Sequence, residues 1–310
     1  MAAKCPRIER FDSSEKARRG VELVLRELDK THQIFMVPWI NRFFDVQFIH
    51  GWPFILSRYR DGSLSDLIAN PLAWSFQDRF ASLIQIVRAL RLAREHGISA
   101  HQDLKPDNVF FDDLSRTVVP KESKGMHFHM LVGDFGVADA FRDLGHNSGS
   151  RPYMAPEQFS QDPIDPAAPV SFDVFALGVI AFECFTNGQH PIGVTTAEVW
   201  PWRQGIPQKW NRASTWREWA IKSDKFLSET NLPTGLIELV RASLSPDPAA
   251  RPSLEELEKL LWDMLHRLDS DTHAGLQMQV QYLESLSSDD AKWPHMDQRL
   301  LELRQFYSVV

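Results

Sequence analysis

The chain is poor in cysteine. Cys5 and Cys184 are the only two in 310 residues. Two cannot build a disulfide framework or a four-cysteine zinc site, so a reducing compartment is the expectation. There is no excess of basic residues: 34 Lys and Arg stand against 41 Asp and Glu, a net charge of −7. Nucleic-acid binders carry a basic footprint, so nucleic acid is not an expected partner. Long apolar runs are lacking too. The longest, Val174 to Phe185, is interrupted only by Glu183 and falls far short of the ~20 residues that span a bilayer. It reads as a helix buried on all sides. The first residues show no apolar core followed by a small-residue cleavage site. No membrane partner is expected, and the expected location is the cytoplasm.

What is present is an ordinary globular composition, 43% apolar and 24% charged. Residues 14–32 are rich in Glu, Lys, Arg and Leu and read as a helix. Phe80, Leu83, Ile84, Val87 and Leu90 keep the helical period, and Gly97 stands where a C-terminal cap belongs. Leu257, Leu260, Leu261, Met264, Leu265 and Leu268 form another apolar stripe. Ser253 with Glu256 three residues on announces it as a capping box. Phe54–Leu56, Val109–Phe111 and Met130–Val132 read as strands, and 142–170 as loop. A mixed start followed by a helix-rich body implies an α+β architecture with two unequal lobes.

Three landmarks carry chemistry. The first is His101-Gln102-Asp103-Leu104-Lys105-Pro106-Asp107-Asn108. Asp134-Phe135-Gly136 follows, and then Ala155-Pro156-Glu157. In this order they resemble the protein kinase family. Asp173 within Phe172–Gly178 and Arg251 before Pro252 extend the resemblance, which covers roughly residues 1–268. It implies a bilobal fold with a small lobe over 1–60, a helical large lobe over 61–268, and a tail over 269–310.

The chemistry implied is transfer of the ATP γ-phosphate to a protein hydroxyl. This needs a hydroxyl held in line and cations on the phosphate oxygens. The resemblance gives Asp103 the role of orienting the hydroxyl and taking its proton, and lets Lys105 reach the transferred phosphate. Asn108 and Asp134 offer hard oxygen ligands of the kind Mg²⁺ prefers. Lys105, and Ser150 in Gly149-Ser150-Arg151-Pro152-Tyr153, match the serine/threonine branch, so the implied partner is a protein with Ser or Thr acceptors. His101, Phe135 and the Glu157–Arg251 pair are implied to be structural.

The chain also departs from the family. No Gly-x-Gly-x-x-Gly precedes Lys4, and Gly20 is the first glycine, so the small lobe reads as incomplete. Met1-Ala2-Ala3-Lys4 resembles the end of the third strand, with Lys4 on the ATP phosphates. Glu22 on the following helix is its expected ion-pair partner, with Glu27 a competitor. Ser57, Arg58 and Tyr59 resemble the hinge that holds the adenine. Gln102 stands where the family commonly has arginine, and an uncharged side chain cannot pair bidentately with a loop phosphate. Activity without loop phosphorylation is expected, with Ser148 the residue whose replacement tests it. Arg116–His129 reads as an exposed insertion. Leu300, Leu303 and Phe306 suggest a docking helix. Two other functions stay open: a pseudokinase that binds without turnover, and, behind it, a small-molecule phosphotransferase.

Overall fold

A computed structural model describes residues 1–5, 14–50, 52–116, 126–145, 147, 149–160, 171–195, 213–223 and 232–285. The expectations for Ser148, for most of the insertion and for Leu300, Leu303 and Phe306 lie outside these residues.

The first part of the chain forms β1 (Ala2–Lys4), α1 (Ser14–Gln33), β2 (Phe43–Ile49) and β3 (Trp52–Ser57). The three strands make an antiparallel sheet in the order β1-β3-β2, with Lys4 opposite Ile55 and Val46 opposite the same residue on the other side. α1 buries Val24 and Leu28 against Phe43, Val46 and Ile55, a small core of its own. β2 has five aromatic or β-branched residues in seven, the composition that suits a pleated, half-buried surface.

Beyond the sheet come β4 (Gly62–Ser63), α2 (Leu64–Ala69) and α3 (Phe76–Glu95). α3 is the axis of the helical lobe. Ser75 and Asp78 close a capping box at its start: Ser75 Oγ accepts from Asp78 N, and Asp78 Oδ2 accepts from Ser75 N. A single turn after α3 leads through Gly97, whose φ of +92° favours glycine, into the segment 98–108. β5 (Val109–Asp113) and β6 (Phe128–Val132) then form an antiparallel pair with β4 at its edge. Phe128 and His129, expected inside the exposed insertion, belong to β6, and Phe128 is buried. Alternation explains this: Phe128, Met130 and Val132 share one face.

Next are α4 (Ala140–Asp143) and α5 (Phe172–Phe185). All fourteen residues of α5 are buried, as a helix apolar around its whole circumference requires. β7 (Gln189–His190), β8 (Val194–Thr195), α6 (Ala213–Ile221) and α7 (Thr234–Ser243) pack around it. The last pair, α8 (Leu254–Leu268) and α9 (Ser270–Ser285), completes the lobe. The Ser253–Glu256 capping box forms, with both reciprocal bonds between 2.8 and 3.1 Å. The fold is α+β with a mainly helical large lobe. Among the described residues no helix is long and apolar enough to cross a membrane.

Candidate active site

The site lies where the β1-β3-β2 sheet meets the β5-β6 pair. A cavity of about 560 Å³ opens there, lined by Ala2, Ala3 and Lys4 from β1, Ile55 and Ser57 from β3, and Arg58, Tyr59 and Arg60 as the chain leaves the ladder. Asn108, Phe110 and Asp134 close it from the helical side. The walls are largely apolar and the far end is charged, the arrangement that suits a flat ring with an anionic tail.

A side chain of α5 anchors the start of the loop 101–108. His101 N and Gln102 N donate to the buried carboxylate of Asp173, at 2.7 and 3.0 Å. That anchor holds Gln102 at a φ of +71°, a conformation side-chain-bearing residues rarely adopt. The His101 ring lies 4.6 Å from that of Phe135, edge to face, and its Nε2 is 2.9 Å from Gly133 O. At the loop's tip Lys105 Nζ donates to Asp103 Oδ2 at 3.0 Å and to Ser150 Oγ at 2.8 Å. Ser150 N donates to Asp103 Oδ1 at 2.6 Å. Asn108 Nδ2 donates to Asp103 O at 2.8 Å, which leaves its amide oxygen as an acceptor toward the cavity end. Asp134, at a left-handed φ of +63°, takes Lys4 Nζ on Oδ1 at 2.7 Å.

The same ammonium reaches Glu27 Oε2 at 2.7 Å. This corrects the expectation for Glu22, which is exposed five residues earlier on α1. The register of the helix decides it. Glu27 stands three residues after buried Val24 and four before buried Thr31, on the face turned inward; Glu22 adjoins exposed Leu23. Glu157 and Arg251 form a two-pronged pair at 2.6 and 2.8 Å, with the guanidinium stacked on Phe175.

A family model for the protein kinase domain matches residues 1–262. The chain belongs to the protein kinase family. Over 151 residues it is 34% identical to the serine/threonine-protein kinase Pkn1 of Myxococcus xanthus, covering 46% of this chain and 20% of that one. It is 29% identical over 189 residues to a Wee1-like protein kinase of Oryza sativa subsp. japonica, covering 60% and 28%. A broader match, 26% identity over 280 residues, is to the dual specificity testis-specific protein kinase 2 of Rattus norvegicus, covering 84% and 43%. The chain thus spans less than half the length of these relatives.

A second charged network ties α1 of this kinase domain to the segment after Asp134. Asp139 is fully buried; its carboxylate receives Ala100 N at 2.9 Å, Lys30 Nζ at 2.9 Å and Arg142 Nη2 at 2.9 Å. Arg26 Nη2 donates to Ala138 O at 2.6 Å and to Asp143 Oδ2 at 2.7 Å. Burial works against the charge on Asp143, yet Lys30 and Arg26 hold its carboxyl below the usual range. Gln102 joins in without charge: its Oε1 accepts from Phe141 N at 3.0 Å, and its carbonyl accepts from Gln158 Nε2 at 3.1 Å. Sequence reasoning missed Asp139, Lys30 and Arg26; the pairs span more than one hundred residues, and no local pattern marks them.

The three groups around Lys4 titrate in a defined order. Burial pushes the Glu27 carboxyl up, and Lys4 offsets this only in part. At Asp134 burial pushes the same way, but Lys4 outweighs it and the carboxyl is held down. The ammonium of Lys4 is opposed by burial and raised by both carboxylates. A raised carboxyl contributes stability below its ordinary value that is lost as pH rises; a depressed one contributes above its ordinary value and loses it as pH falls. On acidification Glu27 therefore takes its proton above the usual carboxylate range, and Asp134 below it. Between them lies a window in which Lys4 is held by Asp134 alone. Carboxyl ¹³C NMR titration is expected to show this order, and Asp134 titrating first would refute it.

Proposed function

We propose that the chain is an ATP- and Mg²⁺-dependent serine/threonine protein kinase. The observation that carries this reading is the convergence of Asp103, Lys105 and Ser150 within 3.0 Å of one another, joined by a hydrogen bond to Asn108, which lines the cavity together with Asp134. Asp103 is a carboxylate placed to orient an acceptor hydroxyl and take its proton. Lys105 beside it offers a cation to the phosphate being transferred. The Ser150 backbone and hydroxyl hold both in place. Lys4, tied to Glu27, is the cation for the ATP phosphates, and Ser57, Arg58 and Tyr59 form the wall for the adenine.

The donors present fit Mg²⁺. Asn108 has its amide oxygen available, and only one oxygen of Asp134 is taken by Lys4. Both are hard oxygen ligands, and together with phosphate oxygens and water they suit an octahedral ion. When bound, the ion would neutralise charge on the phosphates. The same reading divides the chain near residues 60 and 268. It places Lys105 and Ser150 with the serine/threonine branch and makes proteins with hydroxyl acceptors the substrates.

Asp134→Asn tests the reading. It is expected to weaken ATP affinity by at least ~10-fold with Mg²⁺, and far less in excess chelator. Equal losses in the two conditions would remove Asp134 as the ligand. One observation favours a second reading as a binding module without turnover: Lys4 lies directly on Asp134, so a nucleotide must draw the two apart. Tight Mg²⁺-dependent ATP binding with no phosphate transfer to any protein would support that reading.

A further inference from the structure

Behind the hinge lies a second cavity, of about 300 Å³, which shares Arg58 and Arg60 with the first but is not lined by Lys4 or Asp134. Five segments distant in sequence meet there. Arg42 comes from the stretch before β2, Arg58 and Arg60 from the hinge, Asp112 from β5, His129 from β6, and Leu283 from α9. We infer that this cavity binds a phosphate group, free or carried on a side chain, through the guanidinium groups of Arg42, Arg58 and Arg60.

Charge is the first support. Three guanidinium groups face one carboxylate, Asp112, and two positive charges remain. Arg60 Nη1 donates to Asp112 Oδ2 at 2.6 Å, and its Nε donates to Asn41 Oδ1 at 3.0 Å. Arg42 Nη2 donates to Val37 O at 3.2 Å while its guanidinium lies 5.1 Å from the Phe35 ring centre. A guanidinium has five N–H donors, so Arg42 and Arg60 are positioned by these contacts with donors to spare. Arg58 is exposed at the rim.

Burial and then the neighbouring Arg60 depress the proton affinity of Arg42. Arg60 is likewise depressed by burial and by Arg58, against the pull of Asp112. Packing like charges in a partly dry cavity costs free energy, which a bound dianion would offset.

His129 lines the same cavity. Its Nε2 is shielded from solvent and has no hydrogen-bond partner among the described residues. A buried polar atom left unpaired is costly unless something occupies the site. Burial, and next the three arginines against Asp112, hold this ring neutral, down to about 4. The ring lines the cavity, so a bound anion would raise its proton affinity. The forked donors of arginine match the edge of a phosphate, and a dianion answers the two uncompensated charges better than one carboxylate does. The site does not depend on the chain being an active kinase.

The test uses the full 310-residue chain. Inorganic phosphate and a phosphoserine peptide, with its unmodified twin as control, are titrated and followed by calorimetry and by imidazole NMR of His129. Saturable binding of one equivalent is expected in the millimolar range or tighter. Arg42→Gln is expected to weaken it at least ~10-fold, the loss of one charge-assisted contact. Lys4→Met is expected to leave it unchanged. In the unaltered chain, phosphate should move the His129 titration upward from about 4, a readout that needs no variant to fold. A phosphopeptide binding more tightly than phosphate supports a phosphoprotein as the source, and the reverse supports a free phosphate. No saturable binding below ~20 mM, an unmoved His129 titration, or loss of binding in Lys4→Met would overturn the inference.

Discussion

Asp103→Asn is expected to lower phosphoryl transfer by ~10²–10⁴-fold, the usual worth of a positioned general base. The substitution is chosen from the geometry. Asp103 Oδ1 accepts from Ser150 N, and Lys105 Nζ donates to Oδ2. An asparagine oxygen can still accept from Ser150 N, so the loop keeps its anchor while the carboxylate charge is lost. Alanine would remove both at once and confuse chemistry with folding. The check is a single-turnover rate at saturating ATP, beside a urea unfolding curve. A rate within a few-fold of the unaltered chain at unchanged stability would remove Asp103 from the chemistry.

The second large effect is expected at Asp139. Its side chain is fully shielded from solvent and holds Lys30, Arg142 and the Ala100 amide together. Removing one member of a buried charged set leaves the others uncompensated, at ~3–5 kcal/mol. Asp139→Ala is therefore expected to move the urea midpoint strongly downward. Asp143→Ala touches Arg26 and Lys30 as well, but that carboxylate is partly exposed, and ~1 kcal/mol or less is expected. Equal losses at the two positions would show that burial is not what gives Asp139 its weight. Both variants should also loosen the Lys4–Glu27 contact, because Arg26 and Lys30 flank Glu27 on the same helix.

What could be read from the chain was local. Asp103, Lys105, Asn108 and Asp134 fall within short motifs whose spacing is itself the signal. Ser253 and Glu256 mark their helix start with the usual pair of residue types. Ser75 and Asp78 do the same work at α3 with aspartate as the reaching acid, and so escaped notice. Glu27 was harder: α1 carries acidic and basic residues on several faces, and only the burial of Val24, Leu28 and Thr31 shows which face turns inward. β2 was not anticipated. Phe43, Phe44, Asp45 and Val46 mix aromatic, acidic and branched residues without clean alternation, and a register irregularity between Phe43 and Asp45 shifts the pattern. The arginine cavity could not have been read at all, since its lining comes from segments as far apart as Arg42 and Leu283. Gln102 was read as the loss of a cation; the structure gives it a hydrogen bond to Phe141 N.

The two faces of α1 are held by different kinds of force. Toward the sheet it presents Val24 and Leu28 to Phe43, Val46 and Ile55, and apolar contact has no preferred direction. Toward the helical lobe it is fastened by Arg26 and Lys30 to Ala138, Asp139 and Asp143, contacts that fail when geometry shifts by an ångström or so. Were the sheet to shift over the cleft, the apolar side would tolerate sliding that the ionic side would not. In such a shift the helix would stay with the lobe below it, as a bearing surface for the sheet. Lys4 Nζ, reaching from the sheet to Glu27 Oε2, is the point at which such a shift would be felt.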